Sequence, residues 1–80
     1  MKEETVKRIS DLSPGESGTV RQVDGGGAVR QRLLDMGILP DVSIVFQRVA
    51  PAGDPLWIRL GGVQLSLRRT EADAVVVAPD

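Results

Sequence analysis

The sequence has no cysteine, no histidine and no tyrosine, and its aromatic residues are Phe46 and Trp57 alone. The missing cysteine excludes disulfides, thiolate metal sites and thiol chemistry. The missing histidine excludes imidazole metal ligands and every nucleophile that depends on a histidine base. Catalysis would fall to Asp, Glu, Lys, Arg, Ser or Thr, so the sequence reads as that of a non-enzyme. Charge of one sign is also missing. Ten basic and eleven acidic residues leave a net charge of −1, and both signs are spread through both halves, with no basic arm or acidic tail. There is no apolar run of about eighteen residues, the length that signals a membrane span. The stretch Met1-Lys2-Glu3-Glu4-Thr5-Val6-Lys7-Arg8 lacks the apolar core of a signal peptide. The expectation is a soluble, cytoplasmic protein with no direct membrane insertion.

What is present is one small domain. Eighty residues with 41% apolar content are enough for a single core. Residues 1–8 are charged and read as a flexible N-terminus; residues 9–80 read as the single domain. Ile9 and Leu12 are its first core anchors. Ser13-Pro14-Gly15-Glu16 has turn chemistry, with proline presetting φ and glycine permitting a positive φ. A first strand runs over Ser17–Val23. Val20 and Val23 are three apart, and a bulge or bend would bring both inward. After Gly25-Gly26-Gly27, Val29, Leu33 and Met36 stand at i, i+4 and i+7, which predicts a helix over Gly27–Met36 with Gly37 at its C′ position. From Val42 onward the period is two. Val42, Ile44 and Phe46 share one face of a second strand, Leu56, Ile58 and Leu60 of a third, and Val63, Leu65 and Leu67 of a fourth. Gly61-Gly62 suits a primed two-residue turn that pairs Leu60 with Val63, Ile58 with Leu65 and Leu56 with Leu67. Thr70-Glu71-Ala72-Asp73 reads as one helical turn, and Ala74–Ala78 as a last strand. Closing the sheet hides strand edges and encloses the aliphatic face. The fold class expected is mainly β: a small five-stranded SH3-like barrel with one α-helix inserted between strands one and two.

Four stretches carry a family resemblance: LSPGESGTV (Leu12–Val20), RQRLLDMGILPD (Arg30–Asp41), APAGDPLWIRLGG (Ala50–Gly62) and LSLRRTEADAVVV (Leu65–Val77). In this order and spacing they resemble the ferrous iron transport protein A (FeoA) family, over about Ile9 to Val77. The resemblance implies an SH3-like barrel in the bacterial cytoplasm. It also implies a role assisting FeoB, the membrane GTPase of ferrous iron uptake. The family is not known as a set of enzymes, and its fold is shared with the C-terminal domain of metal-dependent transcriptional repressors. It supplies no agreed catalytic or metal-binding residue to carry over.

The remaining motifs are weighed against plainer readings. Gly25-Gly26-Gly27 precedes a helix but lacks the Gly-Lys-Ser/Thr ending of a P-loop, so it reads as a flexible connection. Ferrous iron accepts imidazole and carboxylate, and only seven Asp and four Glu are available. Glu71 and Asp73 diverge at i, i+2 on a helix, and Asp54 is explained by turn capping. No catalytic, cofactor or metal residue is assigned, and weak divalent binding by surface carboxylates, or a site they form between subunits, is the most that is expected. Arg30/Arg32 and Arg68-Arg69 would need stacking aromatics to bind nucleic acid. With Asp35, Glu71 and Asp73 available as partners, they read instead as a solvated face.

Trp57 points outward if Leu56 and Ile58 point in. It is then either a contact residue beside Val45 and Val76 or a cover for the barrel rim or the 50–55 loop. Leu34 and Ile38 likewise either pack under Leu39-Pro40 or extend an apolar surface. The candidate partner-binding residues are Arg30, Arg32 and Leu34 on the helix and Trp57 on the barrel, with FeoB as the partner and self-association left open. The alternative class is a small regulatory or nucleic-acid-binding barrel akin to the repressor domain.

Overall fold

A computed structural model describes residues 4–80. The chain forms β1 (Lys7–Arg8), a 3-10 turn (Ile9–Asp11), β2 (Ser17–Val23), α1 (Gly27–Asp35), β3 (Ser43–Val49), β4 (Leu56–Leu60), β5 (Val63–Leu67), α2 (Arg69–Ala72) and β6 (Val75–Pro79). All six strands belong to one antiparallel sheet in the order β1-β6-β2-β3-β4-β5. The architecture is the SH3-like one expected, with two corrections. Among the described residues there are six strands rather than five, because Lys7 and Arg8 pair with Val77 and Val76. That strand has no apolar alternation, since both residues are exposed, and its register comes from β6 alone. The hydrogen-bonded ladder also leaves β1 and β5 as its two ends rather than closing into a ring. Lys7 and Arg8 lie in the segment read as a flexible terminus; residues 1–3 of that segment lie outside the described residues.

The sheet curls around one apolar core. Val20, Leu33, Ile38, Ile58, Leu67, Val75 and Val77 are fully buried, and Ile44, Phe46 and Leu56 nearly so. Of the bulge or bend expected in the first strand, the structure has a bulge, between Val20 and Gln22. It turns Arg21 outward, where Nε and Nη2 donate to the two Glu4 carboxylate oxygens at 2.8 Å each. Both Val20 and Val23 remain in the core. A second bulge separates Phe46 from Arg48 in β3.

The β4–β5 hairpin has the register read from the sequence, with Leu60 opposite Val63, Ile58 opposite Leu65 and Leu56 opposite Leu67. Gly61 has φ 60°, as a primed turn with a positive first residue requires. The alternation runs past the edge of the core, however. Leu60 and Leu65 are half-buried and Val63 is exposed.

Helix α1 closes with a Schellman motif. Gly37, at φ 91°, donates its N–H to the Leu34 carbonyl at 3.0 Å, and Ile38 donates to the Leu33 carbonyl at 3.1 Å. This geometry drives Ile38 into the core and leaves Leu39 outside. The question left open for Ile38 is thereby settled in favour of packing.

Candidate partner-binding surface

The four candidate residues do not form one patch. Arg30 and Arg32 are two apart on α1, so their side chains diverge. Arg30 Nε donates to the Val23 carbonyl at 3.2 Å, tying the helix to the end of β2. Leu34 is half-buried and packs against the core cluster. Arg32 leaves on another side and stands with Nε 2.6 Å from Glu71 Oε2. Trp57 lies on the outer face of β4, opposite Arg48 on β3 and Ser66 on β5. The Arg48 guanidinium covers the indole at 4.1 Å from the ring centroid, so the ring is half-buried under a cation. That cover is neither of the arrangements weighed from the sequence.

Arg32 lines a polar cleft of about 460 Å³ together with Asp54, Pro55, Ser66, Arg68 and Glu71. Because Ser66 also faces Trp57 across the hairpin, the cleft and the indole lie next to each other. Arg32 and Trp57 thus flank one region, whereas Arg30 and Leu34 serve the helix's own packing.

Glu71 organises the cleft. It is 4% exposed, and its Oε1 accepts the Arg68 backbone N–H at 2.8 Å. Glu71 is at the third position of α2, from which a glutamate reaches back to the otherwise unpaired amide before the helix. Its other oxygen faces Arg32. The sequence reading took Glu71 as an ordinary surface partner for these arginines; the pairing is present, but the carboxylate is buried. The signal that identifies it is the glutamate three residues after Arg68 at the start of a helical turn.

Asp54 accepts the Arg69 backbone N–H at 3.2 Å, and Arg69 Nη1 donates to the Gly53 carbonyl at 3.3 Å. The 53–55 loop is therefore pinned to α2. Elsewhere, the Arg8 guanidinium, 2.7 Å from Asp24, and the Gln22 amide hold the Asp24 carboxyl below its usual range. Arg21 does the same for Glu4.

Among the described residues, no group of three or more Asp, Glu, His or Cys is placed to hold a metal ion. No described helix is long and apolar enough to cross a membrane.

Comparison with known proteins places this geometry. The family model described as the FeoA domain matches residues 7–79. A Porphyromonas gingivalis protein, the Fe(2+) transport protein A/Fe(2+) transporter FeoB fusion protein, is 34% identical over 70 residues. Those residues are 88% of this chain and 8% of the fusion protein. A crystal structure of an iron uptake regulatory protein, FeoA, is 32% identical with a TM-score of 0.86, covering 95% of this chain and all of that one. The Stenotrophomonas maltophilia FeoA, solved in complex with zinc and described as a prokaryotic SH3 domain protein, is 26% identical with a TM-score of 0.80. The match covers 92% of this chain and 95% of that one. A manganese-dependent transcriptional repressor shares the fold alone, at 14% identity and a TM-score of 0.87 over 44% of its chain.

Proposed function

We propose, since the chain belongs to the FeoA domain family, that it is a non-enzymatic cytoplasmic adaptor that supports ferrous iron uptake by binding the GTPase portion of FeoB. The observation that carries this reading is the Porphyromonas gingivalis protein, in which a relative of this chain is joined to FeoB in one polypeptide. Covalent fusion keeps two partners at high effective concentration, which is useful when separate chains must meet to act. The domain offers the partner surface residues rather than a reacting centre. Most of its large apolar residues lie in or against the core, and its polar cleft holds one ion pair already formed, Arg32–Glu71. Any effect on transport then arises from unequal affinity for two states of the transporter.

Arg32, which lines the cleft with Ser66, and Trp57, which pairs with Ser66 across the hairpin, are the contact residues best placed for this role. Arg30 and Leu34 contribute by fixing the helix that carries Arg32. Affinity capture of solubilised FeoB by the tagged chain tests the reading. Retention of FeoB, reduced by Arg32→Ala and Trp57→Ala together, is expected. No retention by the unaltered chain refutes it.

The repressor likeness extends to the fold alone. Protein–DNA affinity falls steeply with salt because bound phosphates release counterions. A salt series with duplex DNA is expected to show no binding on which such a slope can be measured.

A further inference from the structure

We infer that the free edge of β5 is a self-association surface, on which a second copy of this chain pairs antiparallel, Leu65 against Leu65, across a two-fold axis. This goes beyond the adaptor reading and does not rest on it.

The six-stranded ladder leaves two strands with one side unpaired, β1 and β5. An unpaired edge is a template for pairing with another chain unless it is short, charged, bulged or covered. β1 has that protection, being two residues long with both of them charged. β5 lacks it. Its five residues, Val63-Gln64-Leu65-Ser66-Leu67, include no charge and no proline. Its pairing with β4 runs without a bulge. Val63 is 57% exposed, more than any other large hydrophobic among the described residues. Leu65, on the same face, is half-buried.

Hydrogen bonding decides the register. The two-residue turn makes Leu60 and Val63 a hydrogen-bonded pair, and Ile58–Leu65 and Leu56–Leu67 follow by alternation. The N–H and C=O of Gln64 and Ser66 therefore face away from β4, and among the described residues they have no other backbone partner. Both residues are exposed. The Gln64 side chain turns back across β4, where Nε2 donates to Gln47 Oε1 at 2.8 Å, and so stays off the edge. Beyond Leu67 the backbone is engaged: the Arg68 N–H donates to Glu71 Oε1, and the Arg68 carbonyl accepts from the Glu71 and Ala72 amides. A two-fold pairing thus places Gln64 opposite Ser66 of the second copy, and Ser66 opposite its Gln64. Each of these pairs exchanges two hydrogen bonds. A shift of two residues either way sets one member against the engaged Arg68, or against Gly62 in the turn, and loses half of the bonds.

The same pattern selects a second copy as the occupant. Leu65 meets Leu65 of the second copy in a non-hydrogen-bonded pair, where Cα atoms approach to about 4.5 Å. Val63 lies beside Leu67 of the second copy. The exposed margin of each core is then covered by the equivalent residues of the other chain. Charge permits the approach. The strip is neutral, the net charge of each copy is −1, and Arg68 falls opposite the small Gly62. The two Arg68 residues stand six positions apart along the paired strands, about 20 Å, which exceeds the screening length of about 8 Å in physiological salt. Because β1 offers no comparable edge, the isologous contact closes at a dimer. A strip about 17 Å long buries less than the roughly 1,200 Å² of a stable interface, so the dimer is weak and forms at high micromolar to millimolar concentration.

The test follows the full chain from low micromolar to millimolar concentration by amide NMR and sedimentation equilibrium. A monomer–dimer equilibrium is expected, with saturable shifts that are largest at the Gln64 and Ser66 amides. A mixture of isotope-labelled and unlabelled chain should show contacts between copies from the Leu65 α-proton to its counterpart, and from the Val63 methyls to those of Leu67. Val63→Lys, at a position exposed enough to leave the fold intact, should weaken association by about tenfold. Gln64→Pro removes an N–H that the pairing uses and the β4 ladder does not, and should abolish it. Leu39→Lys, outside β5, should leave it unchanged. A chain that stays monomeric at millimolar concentration, contacts between copies at residues outside β5, or a dimer that survives both Val63→Lys and Gln64→Pro overturns the inference. If the chain is monomeric and solubilised FeoB instead shifts the β5 amides, the occupant is a strand of the partner protein and self-pairing is refuted.

Discussion

The Arg32–Glu71 pair is the interaction whose loss has the most informative cost. Glu71 is 6% exposed in its side chain and Arg32 is 62% exposed, with 2.6 Å between Nε and Oε2. Exposed pairs contribute about 0.2–1 kcal/mol. Breaking a fully buried pair costs about 3–5 kcal/mol, because a charge is left without a partner in low dielectric. This pair lies between these limits, since the arginine recovers hydration when its partner is removed and the glutamate does not. The removals should therefore be unequal. Arg32→Met leaves a buried carboxylate with the Arg68 amide as its remaining recorded partner, at a cost of about 1–2 kcal/mol. Glu71→Gln removes the charge but keeps an oxygen for that amide, at a cost of about 1 kcal/mol. In the double variant no buried charge is left over, so the costs should not add. A coupling energy of about 1 kcal/mol is expected from urea unfolding of the four proteins in a double-mutant cycle. A coupling indistinguishable from zero would show that Glu71 holds its position through the Arg68 amide alone.

Other consequences follow from separate parts of the molecule. A Cβ on Gly18 would lie 2.8 Å from the Ala78 carbonyl oxygen, so Gly18→Ala must spread the β2–β6 ladder; a loss of about 2 kcal/mol and a melting point lower by roughly 10 °C are expected in a thermal scan. Arg48→Ala uncovers the indole of Trp57, the sole tryptophan, and should shift its fluorescence emission to the red with a stability loss of about 0.5–1 kcal/mol; an unchanged emission maximum would contradict the stacking. The folded-state pKa of Asp24 is lowered by its hydrogen bond from Arg8, and that of Glu4 by Arg21. The stability they contribute is present above the unfolded carboxylate range, about pH 4, and is lost as pH falls through the lowered folded values. A carboxyl NMR titration should show both titrating low, with Arg8→Ala returning Asp24 toward the ordinary value.

How much of this was readable beforehand depends on which forces act locally. The β4–β5 register was legible because a two-residue glycine turn and a strict period of two leave one pairing that buries both apolar sets. The bulge at Val20/Gln22 was legible as a bulge or bend, because two valines three apart cannot share a face of a regular strand. Strand β1 was not, since Lys7 and Arg8 are held by backbone pairing to β6 and carry no apolar signal of their own. The exposure of Val63 was also missed, because alternation reports a face and not where the core beneath that face ends. At the candidate surface, exposure logic singled out Arg30, Arg32, Leu34 and Trp57 but gave them no companions. Arg48 covers Trp57 only because a second bulge resets β3 against β4. Arg68, Ser66 and Asp54 join Arg32 only through tertiary folding, which brings α1 to the far end of the hairpin. Glu71 had a local signature in its spacing from Arg68, and that spacing was readable as a helix cap rather than as a surface charge.

The most direct measurement is calorimetric titration of the purified chain into FeoB reconstituted in lipid nanodiscs. Saturable one-to-one binding is predicted, weakened at least tenfold when Arg32 and Trp57 are both replaced by alanine. Heats equal to those of empty nanodiscs, from a chain that NMR shows to be folded, would contradict it.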